Sequence, residues 1–372
     1  MIYLDNAATT PILPDVAEVL LYQLTENFGN PSSIHQAGRA ASRVLRESRQ
    51  IIAEILDVAP QSITFTSGGS ESNNTAIISY ALSHQQNGRH LVTTAIEHPS
   101  VRAAFDYLHT RHGFEITIVS PQADGNFPPE LITAAVRPDT ILVSVMHANN
   151  ETGQILPVRE IGAFLATSPN TAFHVDAVQT MGKMRVKPQE MGADFLSATA
   201  HKFHGPKGTG FLYHAPSVRF DSLIHGGEQE EKRRAGTENS AGIAAMAKAL
   251  TLANASLDTL HAHIQNLRQR LLSALADIDY YENAFGETLA STINLGFPGK
   301  NHDALLTKLD MAGICVSTGS ACTAGAVEPS HVLTAVYGKN SPKLKENIRL
   351  SLSALTTPDD IQQFTKILHE VL

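Results

Sequence analysis

Tryptophan is absent from this 372-residue chain, and cysteine occurs only twice, as Cys315 and Cys322. With no tryptophan and aromatics at 6%, no platform for stacking nucleic-acid bases is visible. Two cysteines build no disulfide framework, and a reducing cytoplasm suits them best. They are also too few to ligate an iron–sulfur cluster alone, which needs about four thiolates. No apolar run approaches the ~20 residues of a membrane span. The opening MIYLDNAATTP has neither a basic nor an apolar signal region, so no export and no membrane are expected. Positive charge is not in excess: a net −8 gives no general attraction to nucleic acid. One basic stripe, Arg39, Arg43 and Arg46, reads as the solvated face of an amphipathic helix whose other face carries Ala41, Val44, Ile51, Ile52 and Ile55.

Hydrophobic residues at 42% and charged residues at 17% are ordinary for a soluble enzyme with a large core, and the length suggests two domains. Short β-rich runs (SITFT, HLVTTA, EITIVS, TILVSVM, AFHVD, DFLSA, GTGFLYH) alternate with longer helical patterns, which predicts an α/β domain with a mainly parallel sheet. The Ala- and Leu-rich stretch from Ser240 to Asp277 predicts one or two long helices leaving it. A smaller α/β region with strand-like STINLGF and IRLSLS follows. The expected division is residues 13–255 for the large domain, and 1–12 together with 256–372 for the small one.

Ligands of open α/β sheets bind beyond the carboxyl ends of the strands. Five predicted strands deliver polar groups there: Ser67 to Asn73, Glu97-His98-Pro99, His147 to Glu151, Asp176 with Gln179, and Thr199 to Lys202. One such group is explained by a helix cap or a turn; five together are not. Gly68-Gly69-Ser70 between a strand and a helical run suits a phosphate at a helix N-terminus, with a plain cap by Ser70 as the alternative. No GxGxxG or Walker pattern is present, which favours a single phosphate over a dinucleotide or a nucleoside triphosphate. Asp176 ends an apolar strand and needs a cationic partner, either a protonated ring nitrogen or a nearby Arg or Lys. Lys202 at a strand end has a reason to face a cleft if it condenses with an aldehyde. The His201/His204 pair lacks the carboxylate or thiolate of a metal site, and no metal is expected. His98 is either a turn histidine or an imidazole stacked on a flat ring. A phosphate cup, a carboxylate for a ring nitrogen, a lysine and a stacking residue together describe a site for pyridoxal 5′-phosphate.

With these residues placed, the chain resembles the cysteine desulfurases of the NifS/IscS type, class V aminotransferases of the fold-type I pyridoxal-phosphate group. YLDNAATTP, NPSSIHQAGR, FTSGGSESNN, EHPSV, MHANNETG, HVDAVQTMGK, SATAHKFHGPKG, RAGTEN, STGSACTAG and IRLSLS carry the resemblance in order along almost the whole chain. It implies a large domain built on a seven-stranded, mainly parallel sheet, plus a smaller α/β domain. It implies Lys202 as the lysine that binds the cofactor, Asp176 at the pyridine nitrogen, Gln179 at the phenolic oxygen and His98 on the ring. Gly69, Ser70, Thr199 and His201 match the phosphate contacts. Thr237 matches a threonine that reaches the neighbouring subunit's phosphate, so a homodimer is implied. Asn150 and Arg349 match the residues that hold the substrate carboxylate, and Cys322 the nucleophile that becomes a persulfide.

The implied activity removes sulfur from L-cysteine, releasing L-alanine and leaving the sulfur on Cys322. An acceptor protein, an iron–sulfur scaffold or a tRNA-thiolation enzyme, would then take it. The small, flexible residues around Cys322 fit a loop that collects sulfur inside a cleft and delivers it outside, whereas Cys315 in AGICVS reads as a buried core thiol. Selenocysteine lyase or transaminase chemistry would use the same cup and lysine, but a cysteine on such a loop favours a sulfur acceptor. A non-enzymatic sulfur carrier is the reading from another class. With 23 residues after Arg349, docking of a scaffold through a C-terminal extension is expected to be weak.

Overall fold

A computed structural model describes residues 1–319 and 329–372. Its strands are, in chain order, β1 Ile2–Tyr3, β2 Ile63–Thr66, β3 His90–Thr94, β4 Glu115–Val119, β5 Thr140–Met146, β6 Ala172–Asp176, β7 Phe195–Thr199, β8 Gly210–His214, β9 Tyr281–Glu282, β10 Thr292–Gly296, β11 Ile314–Cys315 and β12 Asn347–Ser351. Seven of them form one sheet in the order β2-β8-β7-β6-β5-β3-β4. All its pairings are parallel except those of β8, which runs against both β2 and β7. The carboxyl ends of β2, β3, β5, β6 and β7 therefore share one edge, as the strand-end polar groups required.

The central strands are buried throughout because both faces are covered, the usual condition of a parallel sheet. Val143, Val145, Phe173, Val175, Leu196 and Ala198 form one core with Ile243, Met246 and Leu250 from the helix Ser240–Ala255. Asn239 starts that helix by accepting from Gly242 N. The helix Gln36–Leu56 carries Ala41, Leu45 and Ile52 inward and leaves Arg39, Arg43 and Arg46 exposed, as the sequence pattern predicts.

A second core joins the two ends of the chain. Ile2 and Leu4 pack with Leu267 and Leu271 of the helix Leu257–Ala274, with Ile293, Leu295, Ile348 and Leu350, and with Phe364 and Leu368 of the last helix. β1 pairs with β11, and β10 lies between β9 and β12 in an antiparallel sheet. Cys315 differs from expectation. It is half-buried, because β11 is a two-residue strand paired only with β1 and nothing covers it fully. Among the described residues, no helix is long and apolar enough to cross a membrane.

Candidate active site

A cavity of about 190 Å³ opens at the shared sheet edge, and ten of the residues singled out from the sequence line it: Gly69, Ser70, His98, Asn150, Asp176, Gln179, Thr199, His201, Lys202 and Arg349. Thr237 is not among them; it is exposed, next to Gly236 with φ +101°. Cys322 lies outside the described residues.

At one end, a helical run from Gly69 to His84, interrupted by a π turn at Thr75–Ser79, points its first turn at the cavity. Its cap is Gly68, at φ +151°, a backbone state that only glycine adopts without strain. Ser70 is therefore inside the helix, and no side chain caps the end. The first amides of a helix have no intrahelical acceptor. Gly69 clears the space before them: a Cβ there would come within 2.7 Å of Val178 Cγ2. Thr199 donates its hydroxyl to Thr209 O at 3.1 Å. His201 Nδ1 is 3.2 Å from Thr9 Oγ1, and burial, then the charges of Lys202, Lys207 and Lys183, push its pKa down to about 4. A neutral imidazole, a hydroxyl and free helix amides form a cup that suits a phosphate.

In the middle, Asp176 ends β6 almost fully buried. Its Oδ2 accepts from Asn73 Nδ2 at 2.8 Å and its Oδ1 from Val178 N at 3.0 Å, so both oxygens are held by neutral donors. Asn73 Nδ2 also donates to Ser100 Oγ, while the buried Asn73 Oδ1 has no partner among the described residues. Ser100 in turn orients His98. Its amide donates to His98 Nδ1 at 3.1 Å, which leaves the imidazole proton on Nε2. Burial lowers the His98 pKa; Asp176 opposes the shift and Lys202 adds to it. Lys202 donates from Nζ to Ala7 O at 2.5 Å and Ala8 O at 2.8 Å.

At the far end, Arg349 on β12 is only 1% exposed. It donates from Nη2 to Asp5 Oδ1 at 2.7 Å and from Nη1 to Asn150 O at 2.9 Å, with no partner for Nε among the described residues. Its backbone exchanges hydrogen bonds with Ser317, at the start of STGSACTAG. On the other side of Cys322 in the chain, Ser330 donates to Glu151 Oε2 and caps the helix His331–Tyr337, whose His331 Nε2 reaches Glu97 O at 2.9 Å. Both ends of the segment carrying Cys322 are thus fastened beside the cavity.

Ser100, Asp5 and the carbonyls of Ala7 and Ala8 are site elements that sequence reasoning missed, and Asn73, gathered with the strand-end groups, was given no role. Glu97, also gathered at a strand end, was given none either. It is fully buried, its Oε1 accepts from Thr94 Oγ1 and Met146 N, and burial pushes its pKa up to about 8, with Asp176 adding to the shift. The folded state therefore keeps a proton that the unfolded chain loses above its ordinary carboxyl range. Stability from this group is complete at low pH and declines as pH rises towards 8. Glu97→Gln should flatten that decline, and melting temperatures at pH 5 and pH 8 check it: an equal drop in both proteins would rule the protonated carboxyl out.

The chain matches the Aminotransferase class-V family over residues 2–364. It belongs to that family. Among similar class V proteins, a cysteine desulfurase IscS of Dictyoglomus turgidum is 41% identical, covering 100% of this chain and 94% of the relative. A cysteine desulfurase IscS of Methanosarcina thermophila is 40% identical, covering 100% and 92%. A solved NifS-like protein superposes with a TM-score of 0.93 at 34% identity, over 100% of this chain and 98% of that one. Class V enzymes of this kind depend on pyridoxal 5′-phosphate, and the residues fit it. The cup suits a phosphate, the glycine cradle leaves room for one, the Asp176 carboxylate suits a protonated ring nitrogen, and Asn73 Oδ1 and Arg349 Nε are buried polar atoms with no partner among the described residues.

Proposed function

We infer that the chain is a pyridoxal-phosphate-dependent cysteine desulfurase, which removes the sulfur of L-cysteine to give L-alanine and a persulfide on Cys322. The observation that carries this reading is the fastening of both ends of the Cys322 segment to the site that holds Lys202 and Arg349. Bound there, the cofactor supplies an electron sink for the amino acid's α-carbon.

The protein's residues do the rest. Gly69, Ser70, Thr199 and His201 hold the phosphate, and Thr237 reaches the site of the second copy in a homodimer. Asp176 would keep a ring nitrogen charged, His98 would pack against the ring, and Gln179 would donate to the phenolic oxygen. Lys202 would anchor the cofactor covalently and carry the substrate's α-proton. Arg349 and Asn150 grip the carboxylate. The Cys322 thiolate attacks the substrate sulfur, so that an S–S bond forms as the C–S bond breaks and the bonding pair stays with carbon, which is protonated to alanine. An acceptor protein, a cluster scaffold or a tRNA-thiolation enzyme, then takes the sulfur. The small unit comprises residues 1–12 and 256–372 and carries the nucleophile; residues 13–255 bind the cofactor.

Incubation of the cofactor-loaded protein with L-cysteine tests this reading. It should release alanine and leave an addition of about 32 daltons, one sulfur atom, on the Cys322 peptide. Transamination without sulfur release would defeat it. Arg349→Ala should raise the apparent KM for cysteine roughly ten- to hundredfold, the worth of a charge-assisted hydrogen bond. The resting absorption of the bound cofactor should not change, because the grip acts on substrate alone. An unchanged KM would remove Arg349 from substrate binding.

A further inference from the structure

Three residues after Gln179 the chain folds back on itself. Gly182 takes φ +75°, and a Cβ there would lie 2.6 Å from Phe203 Cβ, so the turn closes tightly against the residue after Lys202. The turn brings Lys183 Nζ to 3.2 Å from Gln179 Oε1, to which it donates. On its other side, Gln179 Nε2 donates to Ala7 O at 3.0 Å. The two ends of a carboxamide are nearly equal in size, and its neighbours decide which way it faces. An ammonium only donates and a carbonyl only accepts. Turning the Gln179 amide over would set donor against donor and acceptor against acceptor, so its orientation is forced.

We propose that Lys183 is a positioning residue of the reaction: its ammonium fixes Gln179 with the amide N–H groups towards the cofactor's phenolic oxygen and places a positive charge behind it. This rests on the functional reading above, in which Gln179 faces that oxygen. Lys183 also lines a second cavity of about 370 Å³, behind Lys202, whose walls include Leu252, Leu260 and Leu289. The charged and titratable groups around Lys183 are Lys202, His201 and His204 after β7, Arg349 on β12, and His261 and Glu287 across that cavity. Burial, then Lys202, then Arg349 push the Lys183 pKa down to about 7. An anionic oxygen beside Gln179 would oppose that shift and keep the ammonium charged.

A hydrogen bond to the phenolic oxygen and a nearby cation both favour the form of the lysine–cofactor linkage that has lost its proton. Lys183→Met should therefore move the midpoint of the pH titration of the holoenzyme's visible absorption upward by about one unit, a tenfold change in the proton equilibrium. Lys183→Arg, which keeps donor and charge, should titrate close to the unaltered protein. In a Gln179→Leu background the effect of Lys183→Met should shrink, because part of it acts through the amide. An unmoved midpoint in a Lys183→Met protein with normal circular dichroism overturns the proposal, and so does a full-sized shift in the Gln179→Leu background. If Lys183→Met does not fold, Lys183→Gln must show the upward shift from lost charge alone. A chain that takes up no pyridoxal 5′-phosphate overturns the functional reading and this inference together. Normal uptake with an unmoved midpoint overturns the inference alone.

Discussion

Replacing Lys202 by alanine should leave a folded chain that binds pyridoxal 5′-phosphate reversibly, retains none of it after borohydride treatment and denaturation, and desulfurates cysteine about 10³-fold more slowly or worse. The fold should survive because Lys202 is half-buried and its hydrogen bonds include two to backbone carbonyls of the N-terminal segment. Losing them costs about 1–3 kcal/mol. The cup, Asp176 and His98 stand without the lysine, so the cofactor still has a seat. What disappears is the covalent anchor and the group that carries the α-proton. The checks are the mass of the borohydride-treated protein and single-turnover alanine formation. Cofactor still attached in the variant would show that a different lysine is the anchor, and peptide mapping would identify it; Lys207, exposed and five residues on, is the first to examine.

The second large effect concerns the nucleophile. Cys322→Ala should bind the cofactor and cysteine normally, shift the bound cofactor's absorption when cysteine is added, and then stop. Alanine formed per site in one turnover should fall by about 10³-fold or more, the cost of losing a nucleophile that nothing replaces. Cys315→Ala is the control. Cys315 is half-buried on β11, in register with Tyr3, and its loss should change packing slightly and turnover little. Near-normal alanine from Cys322→Ala, or a persulfide mapped to Cys315, would reverse the assignment.

Much of the site was legible because a parallel sheet turns sequence order into spatial order. A polar group just after an apolar strand must emerge at one edge, so His98, Asp176, Gln179 and Lys202 could be gathered before any coordinates were known. Ser70 was legible as a helix start, but not as the second residue of the helix, since only the φ of Gly68 reveals where the cap falls. The N-terminal contribution was hidden. Ala7 and Ala8 act through backbone carbonyls, which no side-chain pattern announces. Asp5 meets Arg349 across 344 positions, a pairing that local periodicity does not reach. Asn73 lies inside a helix, where an asparagine reads as surface, until Asp176 is found at its amide. The exposure of Cys315 followed from the brevity of β11, which its apolar neighbours in sequence conceal.

The joining of the chain's two ends governs when this site comes into being during synthesis. Asn6 Nδ2 donates to Ser351 O, Ala7 N donates to Ser351 Oγ, and Asp5 pairs with Arg349. The carbonyls that receive Lys202 are therefore fixed by residues at the other end of the polypeptide. A ribosome-bound chain can build the large sheet and its phosphate cup early, but closing a loop of well over three hundred residues must await the last strand. Until then residues 5–8 lack the contacts that Arg349 and Ser351 give them. The N-terminal wall of the site thus takes its final form only once the last strand is in place.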